Sequence, residues 1–305
     1  MNRFPWLDAI SEHCFSQLVN QTLGHAYVVD LHPGYGANEF IQAFAAAALC
    51  LSPNVQGACG QCKSCLLMNA GNHPDFYQVA PDGNQIKVDQ IRSLCQDLVS
   101  TAQQGGRRVA VINYSEKMNQ AAANALLKTL EEPGEGTLLI LQSSQPAHLL
   151  ATITSRCQRL HITLPDAAQI NAWLQQQYQI NQDATWCLPV VGGPLDLAQA
   201  LQEGRYQSLL QLRKDWIESL SSGHLCANLM SIDEKQVSDA HKVLYLVLRQ
   251  KLLKTPNIDA LLAANIVELS TLVMKTCHEL SLMPNINALG LFQNYLARYN
   301  QLTGS

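Results

Sequence analysis

The sequence predicts an α/β fold with a parallel β-sheet in the first half of the chain and an all-α second half. Apolar, β-branched runs predict strands at residues 26–31, 108–113 and 137–142. Helix-forming stretches lie between these runs, and strands that alternate with helices indicate a parallel sheet covered on both faces. Strand patterns end near Leu160, and the spacing of apolar residues is helical beyond it.

Helices are predicted wherever apolar residues recur at three- and four-residue spacing. One covers residues 38–51 and begins at Asn38, a residue type that favours the N-cap position. Asp166 followed by Gln169 indicates a capping box at the start of another helix. The remaining predicted helices are at 120–132, 206–220, 234–253, 258–280 and 286–299.

A chain of 305 residues has room for two or three domains. Glycines near 191–194 and 203–204 indicate breaks between helices, and strand patterns are lost after about residue 160. These features predict domain boundaries near 163 and 205. The sequence therefore predicts an α/β domain at 1–163 with an inserted module at 50–65, a small helical domain at 164–205 and an all-helical domain at 206–305.

The composition excludes several classes of function. The 20 Lys and Arg residues against 24 Asp and Glu give a net charge of -4, which is unsuited to gripping nucleic acid by charge alone. No unbroken apolar run approaches the ~18 residues of a membrane span, and residues 1–7 lack the features of a signal peptide. We expect a cytoplasmic protein whose ten cysteines are not in disulfides.

Four cysteines form the most specific motif in the sequence. Cys59, Cys62 and Cys65 are spaced as two overlapping C-x-x-C steps, and Cys50 precedes them by nine residues. Four thiolates suit tetrahedral Zn²⁺ and leave no open position for a catalytic water, so the expected site is structural. Packing in an apolar core suits the isolated cysteines 95, 157, 187, 226 and 277 better. A redox pair is the rival interpretation, but that motif opens a helix and lacks two further cysteines.

The strand predicted at 26–31 leads into LHPGYGAN, which aligns with a phosphate-binding loop that has lost its key residues. Gly34 and Gly36 remain, but Ala37 stands where the motif has lysine and Asn38 where it has serine or threonine. Two glycines in a turn between a strand and a helix are weak evidence by themselves. The sequence predicts no functional ATP site here.

Two further motifs, NALLKTLEEP at 124–133 and TITSRC at 152–157, resemble those of bacterial DNA polymerase III clamp-loader subunits, members of the AAA+ superfamily. NHPDFY at 72–77 and VDQIRSL at 88–94 also match, and the cysteine module lies in the family position. The resemblance implies an AAA+-like fold for 1–163, a lid domain at 164–205 and an oligomerisation collar at 206–305. It also implies a protein of the nucleoid-associated replisome, with DNA polymerase activity belonging to the holoenzyme.

The ATP-hydrolysing gamma/tau members of that family carry residues at three motif positions that this chain lacks. Ala37 replaces the loop lysine, Asn113 and Tyr114 replace the Asp-Glu pair after a strand, and Leu195 replaces a sensor arginine. The resemblance implies a subunit that does not hydrolyse ATP. The alternatives are an active ATPase with an atypical loop and a zinc-dependent nucleic-acid-binding module, and the second of these would need more basic residues near the cysteines than Lys63.

Arg156 is the residue that the resemblance identifies as an arginine finger, acting in trans at a neighbouring gamma/tau ATP site with Ser155 in support. Spacing alone favours a residue that stabilises a joint between a strand and a helix. His73 is expected to be a turn residue and not a ligand, and Lys128 to form ordinary helical pairs with the glutamates at 131 and 132. The implied partners are gamma/tau and delta subunits, with the sliding clamp and primed DNA contacted through the assembly.

Overall fold

The computed structural model describes residues 4–104, 106–254, 259–282 and 287–303. The strands of the described residues are β1 (Ala26–Asp30), β2 (Phe76–Val79), β3 (Arg108–Ile112), β4 (Thr137–Ser143) and β5 (Gln158–Leu160). The α-helices are α1 (Asp8–Val19), α2 (Ala37–Leu49), α3 (Lys63–Asn69), α4 (Val88–Val99), α5 (Gln120–Glu131), α6 (Ala151–Thr154), α7 (Ala167–Tyr178), α8 (Leu188–Val191), α9 (Pro194–Gln202), α10 (Arg205–Ser222), α11 (Ala227–Met230), α12 (Val237–Lys254), α13 (Ala260–Leu282) and α14 (Ala288–Thr303).

The chain forms two compact units, Met1–Gln177 and Tyr178–Ser305. The first contains all five described strands, and the second is helical throughout its described residues. The cysteine module and the first residues past 163 belong to the first unit. The finer division into three domains, with boundaries near 163 and 205, stays a prediction.

The sheet has the strand order β2-β3-β4-β1-β5, and every pair of neighbouring strands is parallel. β3 and β4 are buried along their whole length, and β1 along all but its last residue, because helices cover both faces of the sheet. The prediction of a parallel, doubly covered sheet is confirmed. The structure adds the two edge strands, β2 and β5, which the apolar pattern did not reveal.

One face of the sheet packs against α4, α5 and α6 through a single apolar cluster. That cluster brings Ile91 and Leu98 of α4 and Leu126 of α5 against Ala110 and Ile112 of β3. Helix α2 also packs against the sheet. It contacts β3 and β4, and the ring of Phe44 lies edge-on to Tyr27 of β1. These contacts hold the loops at the carboxyl ends of β1, β3 and β4 in fixed positions.

Two predicted helix starts have different outcomes. Asn38 is not an N-cap, because α2 begins one residue earlier, at Ala37, after Gly36 has turned the backbone with φ +90°. The capping box of Asp166 and Gln169 is confirmed: each backbone N–H donates to the other residue's side chain, at 3.0 and 2.8 Å.

The second unit packs its helices around buried aromatic residues. Trp216 of α10 lies edge-on to Phe292 of α14, and its indole N–H donates to the Ala240 carbonyl of α12. His241 is fully buried beside Phe292 and Tyr295. The predicted long helices correspond to α10, α12, α13 and α14, although the predicted first residues, 258 and 286, lie outside the described residues.

Among the described helices, α13 is long and apolar enough to cross a membrane, with a mean hydropathy of 1.4 over Ala260–Leu280. Only 33% of the apolar stretch is buried. Unbroken runs did not reveal it because Glu268, Lys275 and Glu279 interrupt its sequence. Because α13 packs against both α12 and α14, its composition also suits a helix in a protein core. That the chain does not span a membrane stays a prediction.

Candidate functional site

The loop after β1 uses its own backbone donors. Gly34 N–H donates to His32 Nδ1 at 3.1 Å, and Tyr35 N–H donates to the His32 carbonyl at 2.9 Å. Gly36 N–H donates to the Pro33 carbonyl at 2.9 Å, which closes a short 3₁₀ turn. A phosphate-binding loop holds its ligand with such N–H groups. In this chain the three N–H groups are already hydrogen-bonded within the loop.

Aromatic side chains cover the same loop. The ring of Phe4 lies against Gly36, where a Cβ would come within 2.8 Å of it, and Trp6 donates its indole N–H to the Tyr35 carbonyl at 2.9 Å. Ala37 is fully buried at the first position of α2. A lysine at that position would have to bury its charge, which is costly without a partner. The loop is thus closed by packing as well as by hydrogen bonds.

Gln142, the next-to-last residue of β4, joins the carboxyl ends of three strands. Its Oε1 accepts from Tyr114 N–H at 2.8 Å, and its Nε2 donates to the Leu31 carbonyl at 2.9 Å. The side chain is fully buried, and no sequence pattern had singled it out. Asn113 follows β3 with an amide where the resemblance implies a carboxylate. In the second unit, Leu195, in the first turn of α9, is uncharged where the resemblance implies an arginine.

The four cysteine sulfurs form a compact group. The Cys62 and Cys65 sulfurs are 3.4 Å apart, those of Cys50 and Cys62 are 3.9 Å apart, and those of Cys59 and Cys65 are also 3.9 Å apart. All four lie within 4.8 Å of one another. Four sulfurs about 2.3 Å from a tetrahedral zinc would be separated by about 3.8 Å, so the cluster fits the predicted ion.

Positive φ angles at two glycines make this group possible. Gly57 has φ +116° and Gly60 has φ +76°, a region that L-residues rarely adopt. The two turns bring the segment between Cys50 and Cys62 back on itself, and Cys62 then caps α3 by accepting from Cys65 N–H at 3.4 Å. The C-x-x-C step of Cys62 and Cys65 therefore does open a helix, so that part of the sequence argument against a redox pair is wrong, and the nearby sulfurs of Cys50 and Cys59 are what favour a metal.

The thiols differ in acidity because their surroundings differ. Burial raises the pKa of Cys65 to about 12. Burial also opposes ionisation of Cys62, but N–H donors from Cys65 and Leu51 outweigh it and lower the pKa of Cys62 to about 6. The backbone N–H of Gln61 likewise lowers the pKa of Cys59. Without a metal, thiolate character is thus confined to Cys59 and Cys62. Burial also raises the pKa of Cys50, so Cys50 and Cys65 would each have to release a proton when they bind a metal.

His73 fastens the cysteine module to the sheet. Asp75 N–H donates to His73 Nδ1 at 3.1 Å, so the ring proton is on Nε2, which donates to Ser64 Oγ at 2.7 Å. The Ser64 hydroxyl in turn donates to the Leu49 carbonyl at 2.6 Å. Burial lowers the pKa of His73, which favours this neutral form. The imidazole acts as a structural link outside the sulfur group, a role that sequence spacing alone did not show.

Arg156 lies just after α6 and is held by three acceptors of its own chain. Its Nη1 donates to the Thr152 carbonyl at 2.9 Å and to Ser155 Oγ at 3.3 Å, and its Nη2 lies 2.6 Å from the Glu131 carboxylate. The side chain remains 36% exposed. The expected pairing of Glu131 with Lys128 is wrong: in the described part of the chain its ion pair is with Arg156.

Three cysteines outside the four-cysteine cluster have thiols with a raised pKa, which suits packing. Burial raises the pKa of Cys14 and Cys187 to about 12 and that of Cys157 to about 11. Such thiols stay protonated at neutral pH and are poor nucleophiles. Cys157, which follows Arg156, is therefore suited to packing, as the sequence predicted.

The fold is AAA+-like. The chain is similar to the DNA polymerase III gamma subunit-related protein of Thermotoga maritima, with a TM-score of 0.54, 18% identity, and coverage of 95% of this chain and 99% of that one. A likeness at this identity establishes the fold alone, and the sequence relatives are more specific.

The family model described as "DNA polymerase III, delta subunit" matches residues 7–166. The DNA polymerase III subunit delta' of Yersinia pestis is 36% identical over 78% of this chain and 73% of its own length. That of Escherichia coli K12 is 35% identical over 77% and 72%. The Pseudomonas aeruginosa protein is 44% identical over 56% and 52%. The chain belongs to the family of DNA polymerase III delta' subunits.

Proposed function

We propose that this chain is the non-hydrolysing subunit of a clamp loader, which helps to load the sliding clamp onto primed DNA. Its partners are gamma/tau and delta subunits, and residues 206–305 join it to their ring. Membership of the delta' family supports a role as a component of the DNA polymerase III holoenzyme. The net charge of -4 favours contact with DNA through the assembly.

The closed phosphate loop is the observation that carries the non-hydrolysing part of the proposal. The N–H groups of Gly34, Tyr35 and Gly36 are hydrogen-bonded within the loop, and Phe4 packs over Gly36. A nucleotide would have to break these contacts and would still find no cation at Ala37. The loop favours a scaffold over an enzyme.

Arg156 would act in trans. A guanidinium is always charged and can grip two phosphate oxygens at once, which suits it to stabilise charge that develops on a neighbour's γ-phosphate. Ser155 would support it through the hydrogen bond between the Ser155 hydroxyl and Nη1. Through Arg156, a subunit that hydrolyses no ATP itself would still contribute to hydrolysis at the site of another subunit.

The cysteine cluster would hold one structural Zn²⁺. Four sulfur donors at compatible separations leave no position for water, so the ion would fix the fold of residues 50–65 without taking part in a reaction.

Two measurements test the proposal. Calorimetry of the chain with ATP and magnesium should show no micromolar binding, and binding of that strength would instead support an active ATPase. In reconstituted clamp loaders, Arg156→Ala should leave assembly intact and reduce hydrolysis at one site by about 10³-fold or more. Arg156→Lys should also be impaired because it loses the planar fork. Normal hydrolysis by both variants would refute the trans role.

A further inference from the structure

Glu131 occupies a position that the helix itself does not favour. It is the last residue of α5, where the negative end of the helix dipole disfavours a carboxylate. Its side chain is 51% exposed, and its carboxylate lies 2.6 Å from Nη2 of Arg156. Glu132, the next residue, is also exposed and has no ion pair among the residues that the structure describes. Glu131 therefore gains nothing from the dipole of α5, and its ion pair in the described part of the chain is with Arg156.

The three acceptors around Arg156 have different chemical consequences. The Thr152 carbonyl and the Ser155 hydroxyl are neutral, so they orient the guanidinium without cancelling its charge. The Glu131 carboxylate neutralises that charge and repels any phosphate that approaches. A bidentate grip on phosphate that uses Nη2 must therefore compete with Glu131 for the same nitrogen.

Exposure sets the strength of this competition. Both side chains are partly exposed, and ion pairs of this kind are weak and screened by salt. Such a pair favours its closed form by about two- to five-fold. It can bias the guanidinium at rest, yet a nucleotide with several negative charges can replace it.

We propose that Glu131 is a positioning residue that holds the Arg156 guanidinium at rest and sets how readily it reaches a nucleotide on a neighbouring subunit. On engagement, Arg156 would exchange one carboxylate for phosphate oxygens, with no covalent change. The inference rests on the proposed trans role of Arg156. It deepens that role by assigning a regulator in the same chain.

The test uses Glu131→Gln, which keeps an oxygen acceptor and a helix-compatible side chain but removes the charge. In reconstituted complexes, single-turnover kinetics first define the phase of ATP hydrolysis that Arg156→Ala removes. In that phase Glu131→Gln should lower the ATP concentration for half-maximal rate about two- to five-fold, because more of the guanidinium is free before binding. The maximal rate should stay within about twofold.

Glu132→Gln is the matched control, since it removes the same charge one residue away and should leave the half-saturating concentration unchanged. The double variant of Glu131→Gln and Arg156→Ala should behave as Arg156→Ala alone. In the isolated chain, nitrogen relaxation of the Arg156 Nε–H should show greater motion in Glu131→Gln than in the control.

The outcomes separate the two proposals. Wild-type half-saturation in Glu131→Gln, with the phase still lost in Arg156→Ala, would overturn the role of Glu131 and leave the finger standing. If Arg156→Ala removed no phase, both proposals would fail.

Discussion

Ala37 and Arg156 show opposite effects of a single side chain. Ala37 takes away the cation that would neutralise phosphate, and its burial leaves no room to restore one cheaply. Arg156 keeps a permanent charge at the surface, partly balanced by Glu131. Under the proposed function, the missing cation at Ala37 weakens nucleotide binding by this chain, and the charge of Arg156 serves a nucleotide held by another subunit.

The cysteine cluster yields a residue-scale prediction. Wild-type protein purified without chelator should contain about one zinc per chain, and Cys59→Ser should lose most of it because three sulfurs hold the ion less well than four. Elemental analysis of both proteins measures this. Cys95→Ser, which changes a cysteine outside the cluster, should retain the metal.

Zinc-free wild-type protein, or full zinc content in Cys59→Ser, would contradict the assignment. Removal of the metal by a chelator should loosen residues 50–65, as hydrogen exchange would show, and leave 178–305 unaffected, since that unit contains none of the four ligands.

At the scale of the element, the sequence predicts what local patterns determine. β1, β3 and β4 are continuous apolar runs because both of their faces are buried. β2 and β5 are missed because edge strands leave side chains exposed and their apolar pattern is broken. The start of α2 is predicted one residue late because Gly36, and not a side-chain cap, begins the helix.

In the candidate site, too, the sequence predicts the local motifs but not the contacts between distant segments. The spacing of the cysteines and the motif around Arg156 are readable from the sequence because each set lies within a short segment. The bonds of Gln142 join strand ends 28 and 111 residues apart. The pairing of Glu131 with Arg156 likewise needs α5 and α6 in place. Contacts of this kind depend on the sheet order, which no local pattern contains.

His241 makes the stability of the helical second unit depend on pH. Burial lowers its pKa in the folded chain, and the hydrogen bond that its Nδ1–H donates to the Val237 carbonyl at 2.7 Å sets the tautomer of the neutral ring and offsets only part of that lowering. Above its ordinary pKa of about 6.5 the residue is neutral in both states and has no effect. Below that pH the unfolded chain takes up a proton that the folded chain resists, so stability should fall as the solution becomes more acidic.

Urea unfolding of wild type and His241→Phe at pH 7.5, 6.5 and 5.5 tests this expectation. The midpoint should fall less with decreasing pH in the variant, which packs a ring beside Phe292 and Tyr295 but cannot titrate. His73 titrates in both proteins, so the difference between them isolates His241. Identical pH dependence in the two proteins would show that His241 does not contribute.

At the scale of the whole molecule, the two units have different surfaces. The first unit carries the closed loop, the cysteine cluster and Arg156. In the second unit, α12 and α13 border a groove of about 580 Å³, lined by residues that include Leu252, Val267 and Met274. Val267 is 53% exposed and Met274 41% exposed. An apolar surface of this kind is typical of a subunit that is covered by neighbours in its assembly.

If residues 206–305 join the ring through this face, Val267→Glu should weaken incorporation into a complex with gamma/tau and delta subunits by about tenfold or more, since a carboxylate would lose its hydration in place of an apolar contact and Arg249 and Lys275 of the same groove would offset only part of that cost. Gel filtration of mixtures at several concentrations measures the bound fraction, and circular dichroism checks that the variant is folded. Val99→Glu provides the matched control, because Val99 is an apolar residue 84% exposed at the end of α4 in the other unit. Equal incorporation of the two variants would remove the α13 face from the assembly interface, whereas loss confined to Val267→Glu would assign the interface to the helical unit.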